Sequence, residues 1–198
     1  MSTEGLSSVL DVVQGHIEEK TTPGAVVLIS RRGKIVLEEA LGRMSYEPDA
    51  EAMTRETIFD LASITKVAVT TTLAMMLTEQ GSLDLDTPVE AYIPEFWGEG
   101  KEQVTVRDLF AHSSGMRSWV PFFRELEASS TVEAKNAVID AICRMPLAHP
   151  WRSKTVYSDP AFILLGEMVE RISGKPLETL AEEWIFGPLD MVDTQYRP

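Results

Sequence analysis

Three side chains in this sequence have the types and the spacing expected of a catalytic serine and its proton-transfer partners. Ser63 and Lys66 form the only Ser-x-x-Lys pattern of the chain, and Tyr157 lies downstream in the run Tyr157-Ser158-Asp159. Residues three apart on a helix share a face, so the Lys66 amine can reach the Ser63 hydroxyl one turn away. A serine hydroxyl is a poor nucleophile until a base within hydrogen-bond reach takes its proton. The pattern therefore predicts an acyl-transferring serine hydrolase.

Lys66 can accept that proton only in its neutral form. An unperturbed lysine has a pKa of about 10.4, so a base at neutral pH needs a pKa lower by about three, which corresponds to roughly 4 kcal/mol. Burial and neighbouring positive charge are the effects that lower it. Apolar residues around the pattern predict a partly dry setting, although they would suit an ordinary core helix equally well. These residues are Ile58, Phe59, Leu61, Ile64 and Val67.

Ser-x-x-Lys alone is weak evidence, because a chain of this length contains roughly one such match by chance. Three longer segments, at 59–66, 104–115 and 157–167, resemble the serine beta-lactamase and penicillin-binding-protein superfamily, in the order that family has them. The first resembles its nucleophile segment, the second its helix and His-Thr-Ser-Gly loop, and the third its Tyr-x-Asn segment. Within the superfamily, the segments are similar to those of class C beta-lactamases, D-alanyl-D-alanine carboxypeptidases and family VIII carboxylesterases.

This resemblance implies a role for each matching residue. Ser63 would be the acylated nucleophile, Lys66 its proton acceptor, and Tyr157 a second acid/base that passes the proton to the leaving group and helps to activate the deacylating water. The backbone N–H of Ser63, at a helix start, would be one donor of the oxyanion hole. Without the Ser63 segment, Tyr157 would be interpreted as a half-buried tyrosine before a helix.

The resemblance covers nearly all of this chain but only about the first half of a typical family member. The family's third motif, Lys-Thr-Gly or His-Thr-Gly on a later strand, has no match after Tyr157. That motif supplies the second oxyanion donor, and losing one donor costs roughly 3 to 4 kcal/mol of transition-state stabilisation. Three explanations stay open. The rest of the enzyme is a separate chain or has been lost, a second copy of the chain completes the site, or the protein is a binding or assembly module that is non-catalytic or depends on a partner.

Two residues are expected to contact the substrate. Asp159 stands where penicillin-recognising relatives usually have asparagine, and an ionised carboxylate only accepts hydrogen bonds whereas an amide also donates them. This difference favours a small ester over a beta-lactam or a D-amino-acid peptide as the substrate. Trp119 follows the segment His112-Ser113-Ser114-Gly115 on a loop and is a candidate for lining the pocket.

Charge and composition narrow the partners and the location. The formal net charge is 18 − 31 = −13, which argues against nucleic acid and anionic membranes, because both repel an acidic surface. The start of the chain has neither the basic region nor the apolar stretch of a signal peptide, and no apolar run is long enough to span a bilayer. We therefore expect a cytoplasmic protein that acts on a small molecule.

The remaining reactive side chains predict no further chemistry. Cys143 is the single cysteine and falls in an apolar helical pattern, so we expect a buried thiol. His16, His112 and His149 lack metal-ligand spacing, and we expect no metal and no cofactor. His112 is interpreted as a structural residue of its turn.

The resemblance implies an α+β fold of the beta-lactamase/transpeptidase type, as one region over 1–198, and the hydrophobic pattern fits it. A first helix precedes a short antiparallel hairpin at about 25–39, and a mostly helical part covers about 63–190. Individual helices are predicted from Ile64 to Gln80, after Thr105, after Thr131, from Ala161 to Ile172, and after Pro176. Thr105 and Asp108, three residues apart, form a capping pair for the second of these helices. Two strands alone make an incomplete sheet with open edges. We therefore expect the hairpin to pair with a second copy of the chain or with a complementing C-terminal chain.

Overall fold

The computed structural model describes residues 2–125 and 130–196, and the chain divides into two compact units, Met1–Asp60 and Leu61–Pro198. The first unit contains helix α1 (Thr3–Glu18) and the strands β1 (Gly24–Arg31) and β2 (Lys34–Gly42). Ser2 begins α1 as its N-cap, accepting a hydrogen bond from the Gly5 N–H at 3.1 Å. The helix packs against both strands.

The hairpin is longer than the sequence predicts, because its pairing runs from Gly24 opposite Gly42 to Arg31 opposite Lys34. The two turn residues, Arg32 and Gly33, have φ values of 53° and 73°. Two central residues with positive φ give the type I′ geometry that matches the twist of paired strands. Among the described residues this sheet has two strands, which agrees with the incomplete sheet that the sequence predicts.

The second unit is mostly helical. It contains the helices α2 (Thr72–Glu79), α3 (Val106–Phe110), α4 (Phe122–Glu125), α5 (Thr131–Arg144), α6 (Asp159–Ser173) and α7 (Leu177–Ala181), a short 3₁₀ turn at Val89–Ala91, and π-helical turns at Lys66–Thr71 and Glu182–Phe186. No helix of the described part of the chain is both long enough and apolar enough to cross a membrane.

Helix α6 is the centre of the core in this unit. Its apolar residues recur at helical spacing and are almost completely buried: Ala161, Leu164, Leu165, Met168 and Val169. It packs against α2, α3, α5 and α7. Ser158 begins the helix by accepting a hydrogen bond from the Ala161 N–H at 3.2 Å, and Gly174 ends it in the left-handed conformation. The chain entering α6 is therefore held against a rigid support.

The helix after Ser63 differs from the regular helix that the sequence predicts from Ile64 to Gln80. A π-helical turn at Lys66–Thr71 precedes α2. The hydroxyl of Thr71 donates to the Lys66 carbonyl at 2.8 Å, and that of Thr72 donates to the Val67 carbonyl at 3.1 Å. Both bonds span five residues, so the threonine side chains satisfy carbonyls that the widened turn leaves without their usual partners.

The buried Lys101 side chain meets a backbone carbonyl at the end of α5. The Lys101 ammonium donates to the Cys143 carbonyl at 2.5 Å and lies 4.9 Å from the centre of the Phe96 ring. A cation at a helix C-terminus is favourable because it meets carbonyl groups without intrahelical partners. Burial raises the pKa of the Cys143 thiol to about 11, so this cysteine is the buried, unreactive thiol that the sequence predicts.

The N-cap of α5 is Ser130, one residue before the Thr131 that the sequence suggests.

Candidate active site

Ser63 lies in a strained turn at the start of a helical segment. The preceding residue, Ala62, has a φ of 43°, which is uncommon for a residue with a side chain. The N–H of Lys66 then bonds back to the Ser63 carbonyl at 3.1 Å and closes the first turn. Such strain is concentrated at functional sites, where the surrounding structure holds a side chain in one position.

The structure brings Ser63, Lys66 and Tyr157 together. The Lys66 Nζ is 3.0 Å from the Ser63 Oγ and 5.0 Å from the centre of the Tyr157 ring. Ser63 and then Lys66 are the side chains that lower the pKa of the Tyr157 phenol, so the three groups are neighbours. A hydroxyl, an amine and a phenol within hydrogen-bond reach of one another can move a proton between them, as acyl transfer requires.

Asp159 joins this group through an ion pair. Its Oδ1 is 2.7 Å from the Lys66 Nζ, and both side chains are largely shielded from solvent. Burial alone would lower the pKa of Lys66, but the hydrogen bonds with Asp159 and then with Tyr157 outweigh it, so the pKa lies above its ordinary value. At neutral pH Lys66 is therefore an ammonium ion, whereas the sequence interpretation required a neutral amine.

Lys66 is shielded from solvent, but the apolar residues expected to make its setting dry are themselves exposed in the described chain. The five apolar residues thought to surround Lys66 are between 40% and 64% exposed: Ile58, Phe59, Leu61, Ile64 and Val67. Helical spacing identifies an apolar face, but it does not tell whether another segment covers that face. Burial of Lys66 still acts to lower its pKa, but the interactions with Asp159 and Tyr157 outweigh it.

Tyr157 has the opposite shift. The hydrogen bond with Ser63, and then the one with Lys66, lower the pKa of the Tyr157 phenol, while the Asp159 charge opposes the change. The side chain is 50% exposed, so solvent screens these interactions. Of the two possible proton acceptors beside Ser63, the phenol is the one whose deprotonation the site favours.

The segment that carries Tyr157 is tied to the segment 112–118 by backbone contacts. The Val156 N–H donates to the His112 carbonyl at 2.8 Å, and the Asp159 N–H donates to the Ser118 carbonyl at 2.8 Å. Between them, the Ser158 hydroxyl donates to the Arg117 carbonyl at 2.7 Å. These bonds fix the phenol and the carboxylate on either side of the start of α6.

Asp108 anchors both of these segments, and the sequence analysis recognised only part of its role. It accepts hydrogen bonds from the N–H and hydroxyl of Thr105, as the predicted capping pair implies. It also accepts from the hydroxyl of Ser113 at 3.0 Å, from the Trp151 Nε1 at 2.8 Å and from the Arg152 Nε at 2.7 Å. Trp151 and Arg152 are adjacent to the tyrosine segment, and no local spacing signals a contact across more than forty residues.

Gly115 ends the His-Ser-Ser-Gly run for a steric reason. Its φ is 87°, and a Cβ atom at this position would lie 2.3 Å from the His149 carbonyl oxygen. The Gly115 carbonyl in turn accepts from the N–H groups of Ala148 and His149. Close backbone packing of these two loops brings the tyrosine segment beside residues 112–115.

An open cleft of about 880 Å³ begins at Ser63 and Lys66. Most of its walls are apolar, with contributions from Val120, Phe122, Phe123, Val138, Ile139 and Phe162. Asp159 lines the cleft, as expected of a substrate contact, but Trp119 does not: it is 56% exposed and contacts the lining residue Phe123 at a ring-centre distance of 6.4 Å. Substrate binding by both residues stays a prediction.

A charged cluster that the sequence analysis missed lines the same cleft. The Lys135 Nζ forms ion pairs with Glu167, at 3.0 Å, and with Glu170. Glu170 also accepts from the Leu177 N–H at 2.7 Å. The three charged residues come from α5 and α6, so only the packing of these helices brings them together.

Comparison with known proteins agrees with the geometry. A family model described as beta-lactamase matches residues 9–198. The chain is 33% identical over 189 residues to an N-acetylmuramyl-L-alanine amidase of Bacillus subtilis (strain 168), covering 89% of this chain and 43% of that protein. It is 31% identical over 207 residues to the esterase EstB of Burkholderia gladioli, covering 98% of this chain and 52% of that one.

Among solved structures, EstCE1, a hydrolase with promiscuous acyltransferase activity, superposes with a TM-score of 0.78 at 29% identity, covering 93% of this chain and 51% of that one. The chain thus spans about half the length of the relatives it matches. The resemblance based on three segments and the predicted fold are both confirmed.

Proposed function

Because this chain belongs to the beta-lactamase family, whose members include esterases and other hydrolases, we propose that it is a serine hydrolase that forms an acyl-enzyme at Ser63. The observation that carries the proposal is the hydrogen bond of the Lys66 amine to the Ser63 hydroxyl at 3.0 Å, with the centre of the Tyr157 ring 5.0 Å from the same amine. A structural serine has no need of an amine and a phenol together. The proposed substrate is a small ester.

In the proposed mechanism Tyr157, as the phenolate, takes the proton of Ser63 while the serine oxygen attacks the ester carbonyl. The tetrahedral adduct then collapses: the bond to the alcohol oxygen breaks, and Tyr157 returns its proton to that oxygen. Water attacks the acyl-enzyme in the same way, with Tyr157 again accepting and then returning a proton, so the acid leaves and Ser63 is restored. Lys66 stays an ammonium ion and stabilises the phenolate and the negative charge on the serine oxygen.

The lining of the cleft supports uncharged ester substrates. The Asp159 carboxylate lies 2.7 Å from Lys66, so it already neutralises the cation that would otherwise attract an anionic substrate. It also lacks the N–H that an asparagine would donate to a substrate carbonyl. The apolar walls offer favourable burial for an alkyl or aryl group of the acid.

Covalent labelling tests the proposal. Intact mass is measured after exposure to p-nitrophenyl butyrate, a fluorescent penicillin and a fluorophosphonate, for the natural protein and for Ser63→Ala. We expect an adduct from the ester and the fluorophosphonate that disappears in Ser63→Ala. The matched control is Ser82→Ala, which removes an exposed serine after α2 and should leave labelling unchanged. A folded protein that forms no adduct with any probe would contradict the proposal and favour a binding or assembly module.

The Asp159→Asn variant should shift the pH dependence of acylation in a defined direction. The Asp159 charge raises the pKa of Tyr157 and also that of His112. Removing it lowers both, so the acidic limb of the profile, where the rate falls because the base is protonated, should move to lower pH. The rate of adduct formation is measured as a function of pH. The control is Asp86→Asn, which changes an exposed aspartate paired with Arg107. A limb that moves to higher pH, or does not move, would contradict this mechanism.

Pairing of the hairpin with a second copy or a complementing chain stays a prediction. It is supported by the exposure of two residues on the described hairpin, Leu28 and Ile35, which are 54% and 58% exposed. Light scattering tests it, since a well-folded monomer at all concentrations would exclude association between copies.

A further inference from the structure

His112 contacts the tyrosine segment in two independent ways. Its Nδ1 accepts a hydrogen bond from the Ser158 N–H at 3.0 Å. Its ring lies 4.7 Å from the ring of Tyr157 and 5.2 Å from that of Phe162, measured between centres. The imidazole therefore stands between the helix that supports the site and the phenol that faces Ser63.

The backbone of His112 is also unusual. Its φ is 55°, in the left-handed region that costs energy for most residues with a side chain. Its carbonyl accepts from the Val156 N–H, and its ring accepts from the Ser158 N–H. One residue thus bonds to the chain on both sides of Tyr157, which lies between them.

We propose that His112 is a positioning residue of the acylation site: its neutral imidazole holds the Tyr157 phenol against Ser63, and its protonation releases the tyrosine segment. The inference rests on the proposed hydrolase function, which it extends to a residue outside the Ser-Lys-Tyr group. His112 itself does not touch the reacting atoms in this assignment.

The hydrogen-bond pattern dictates the protonation state. Nδ1 can accept from the Ser158 N–H only when it carries no proton, so the ring proton of the neutral form is on Nε2. A proton added to Nδ1 would face the N–H of Ser158 and break that bond. In the described part of the chain, the charged and titratable groups that act on the ring are Lys66 from the π-helical turn and Asp159 from α6, and the Tyr157 ring contacts it.

The electrostatic balance supports the neutral form. Burial, and then the Lys66 charge, lower the pKa of His112, while the Asp159 charge raises it, and the lowering effects dominate. At neutral pH the acceptor is therefore available. As the pH falls through this lowered pKa, the acceptor is lost and the tyrosine segment loses one of its two bonds to residue 112.

Two substitutions separate the side chain from the backbone. His112→Gly permits a positive φ without strain but removes both the acceptor and the ring. His112→Asn also tolerates a positive φ, and its amide oxygen restores an acceptor near the backbone. If positioning matters, acylation of Ser63 by p-nitrophenyl butyrate should be slower by about 10²-fold in His112→Gly, the usual effect of a misplaced reacting group. His112→Asn should recover a substantial part of the rate.

A second readout does not need activity. The ionisation of Tyr157 is followed by NMR of ring-labelled tyrosine, with Tyr157→Phe to assign the signal. In the natural protein we expect a lowered pKa for the phenol and a change in its resonance at the pH where His112 gains a proton. In His112→Gly the pKa should return toward its ordinary value, and in His112→Asn it should stay low.

The outcomes distinguish the two proposals. If the natural protein gives no adduct, the hydrolase function fails, and the NMR titration still decides whether His112 positions Tyr157. If the adduct forms at the same rate in His112→Gly, with an unchanged Tyr157 pKa, the positioning role is overturned. If His112→Gly does not fold, the titration of the natural protein decides, because a Tyr157 resonance that is insensitive to His112 protonation also overturns it.

Discussion

Replacing Tyr157 with phenylalanine is expected to slow acylation of Ser63 by about 10²- to 10⁴-fold, the range for a lost general acid or base. The variant removes one hydroxyl and keeps the ring that packs against His112. The reason for the size of the effect is that the ion pair with Asp159 holds Lys66 in its charged form, which has no lone pair to accept the serine proton. The rate of adduct formation with p-nitrophenyl butyrate measures it.

Tyr46→Phe is the matched control. The Tyr46 hydroxyl donates a hydrogen bond to the Lys20 carbonyl at 2.7 Å within the first unit, so its loss should leave acylation unchanged. If Tyr157→Phe retained the natural rate, Lys66 or water would have to be the base, and the mechanism above would be wrong. A slow variant whose far-UV circular dichroism matches that of the natural protein would support it.

The second large effect is on stability. Asp108→Ala is expected to lower the free energy of unfolding by about 3 to 5 kcal/mol, because several partly buried donors lose their acceptor and each unsatisfied group costs about 1 to 3 kcal/mol. Asp108 is 2% exposed and accepts hydrogen bonds from Thr105, Ser113, Trp151 and Arg152. Urea unfolding measures the change. Asp140→Ala removes an exposed ion pair with Arg144 and should cost less than about 1 kcal/mol.

The Asp108 contribution also has a predicted pH dependence. Burial would raise the pKa of Asp108, but the hydrogen bonds from Arg152, Trp151 and Thr105 outweigh it and hold the pKa well below its ordinary value. A carboxyl with a lowered pKa in the folded state stabilises fully above its unfolded pKa of about 3.9, and this contribution is lost as the pH falls further. The stability difference between the natural protein and Asp108→Ala should therefore shrink in acid. A difference that stays constant down to the acid range would contradict this account.

How much the sequence could predict depends on the distance over which each signal acts. The contact between Ser63 and Lys66 follows from helical spacing, and the buried face of α6 follows from its apolar period. The ion pair of Lys66 with Asp159 could not be predicted, because it joins residues from two distant segments that only tertiary packing brings together. The residue type shows that Asp159 lacks an amide donor. It does not show that the Asp159 charge raises the pKa of Lys66, where a lowered pKa was expected.

Two other features show the same limit. The capping pair Thr105 and Asp108 is local and was predicted, whereas the bonds of Asp108 to Trp151 and Arg152 cross more than forty residues. The π-helical turn at Lys66–Thr71 depends on threonine side chains bonding to backbone carbonyls, a choice that helix propensity does not resolve. The first case fails because the bonds are long-range, and the second because bonding between a side chain and the backbone overrides helix propensity.

The widened turn at Lys66–Thr71 fixes the direction in which the nucleophile points. A regular α-helix advances about 100° per residue. The one extra residue of the π-helical turn therefore rotates the segment that carries Ser63 relative to the buried residues of α2, which are Leu73, Ala74 and Leu77. Shortening the turn by one residue would give a more regular helix but would swing Ser63 away from the phenol. The π-helical turn thus sets the orientation of the Ser63 hydroxyl relative to the buried core of α2.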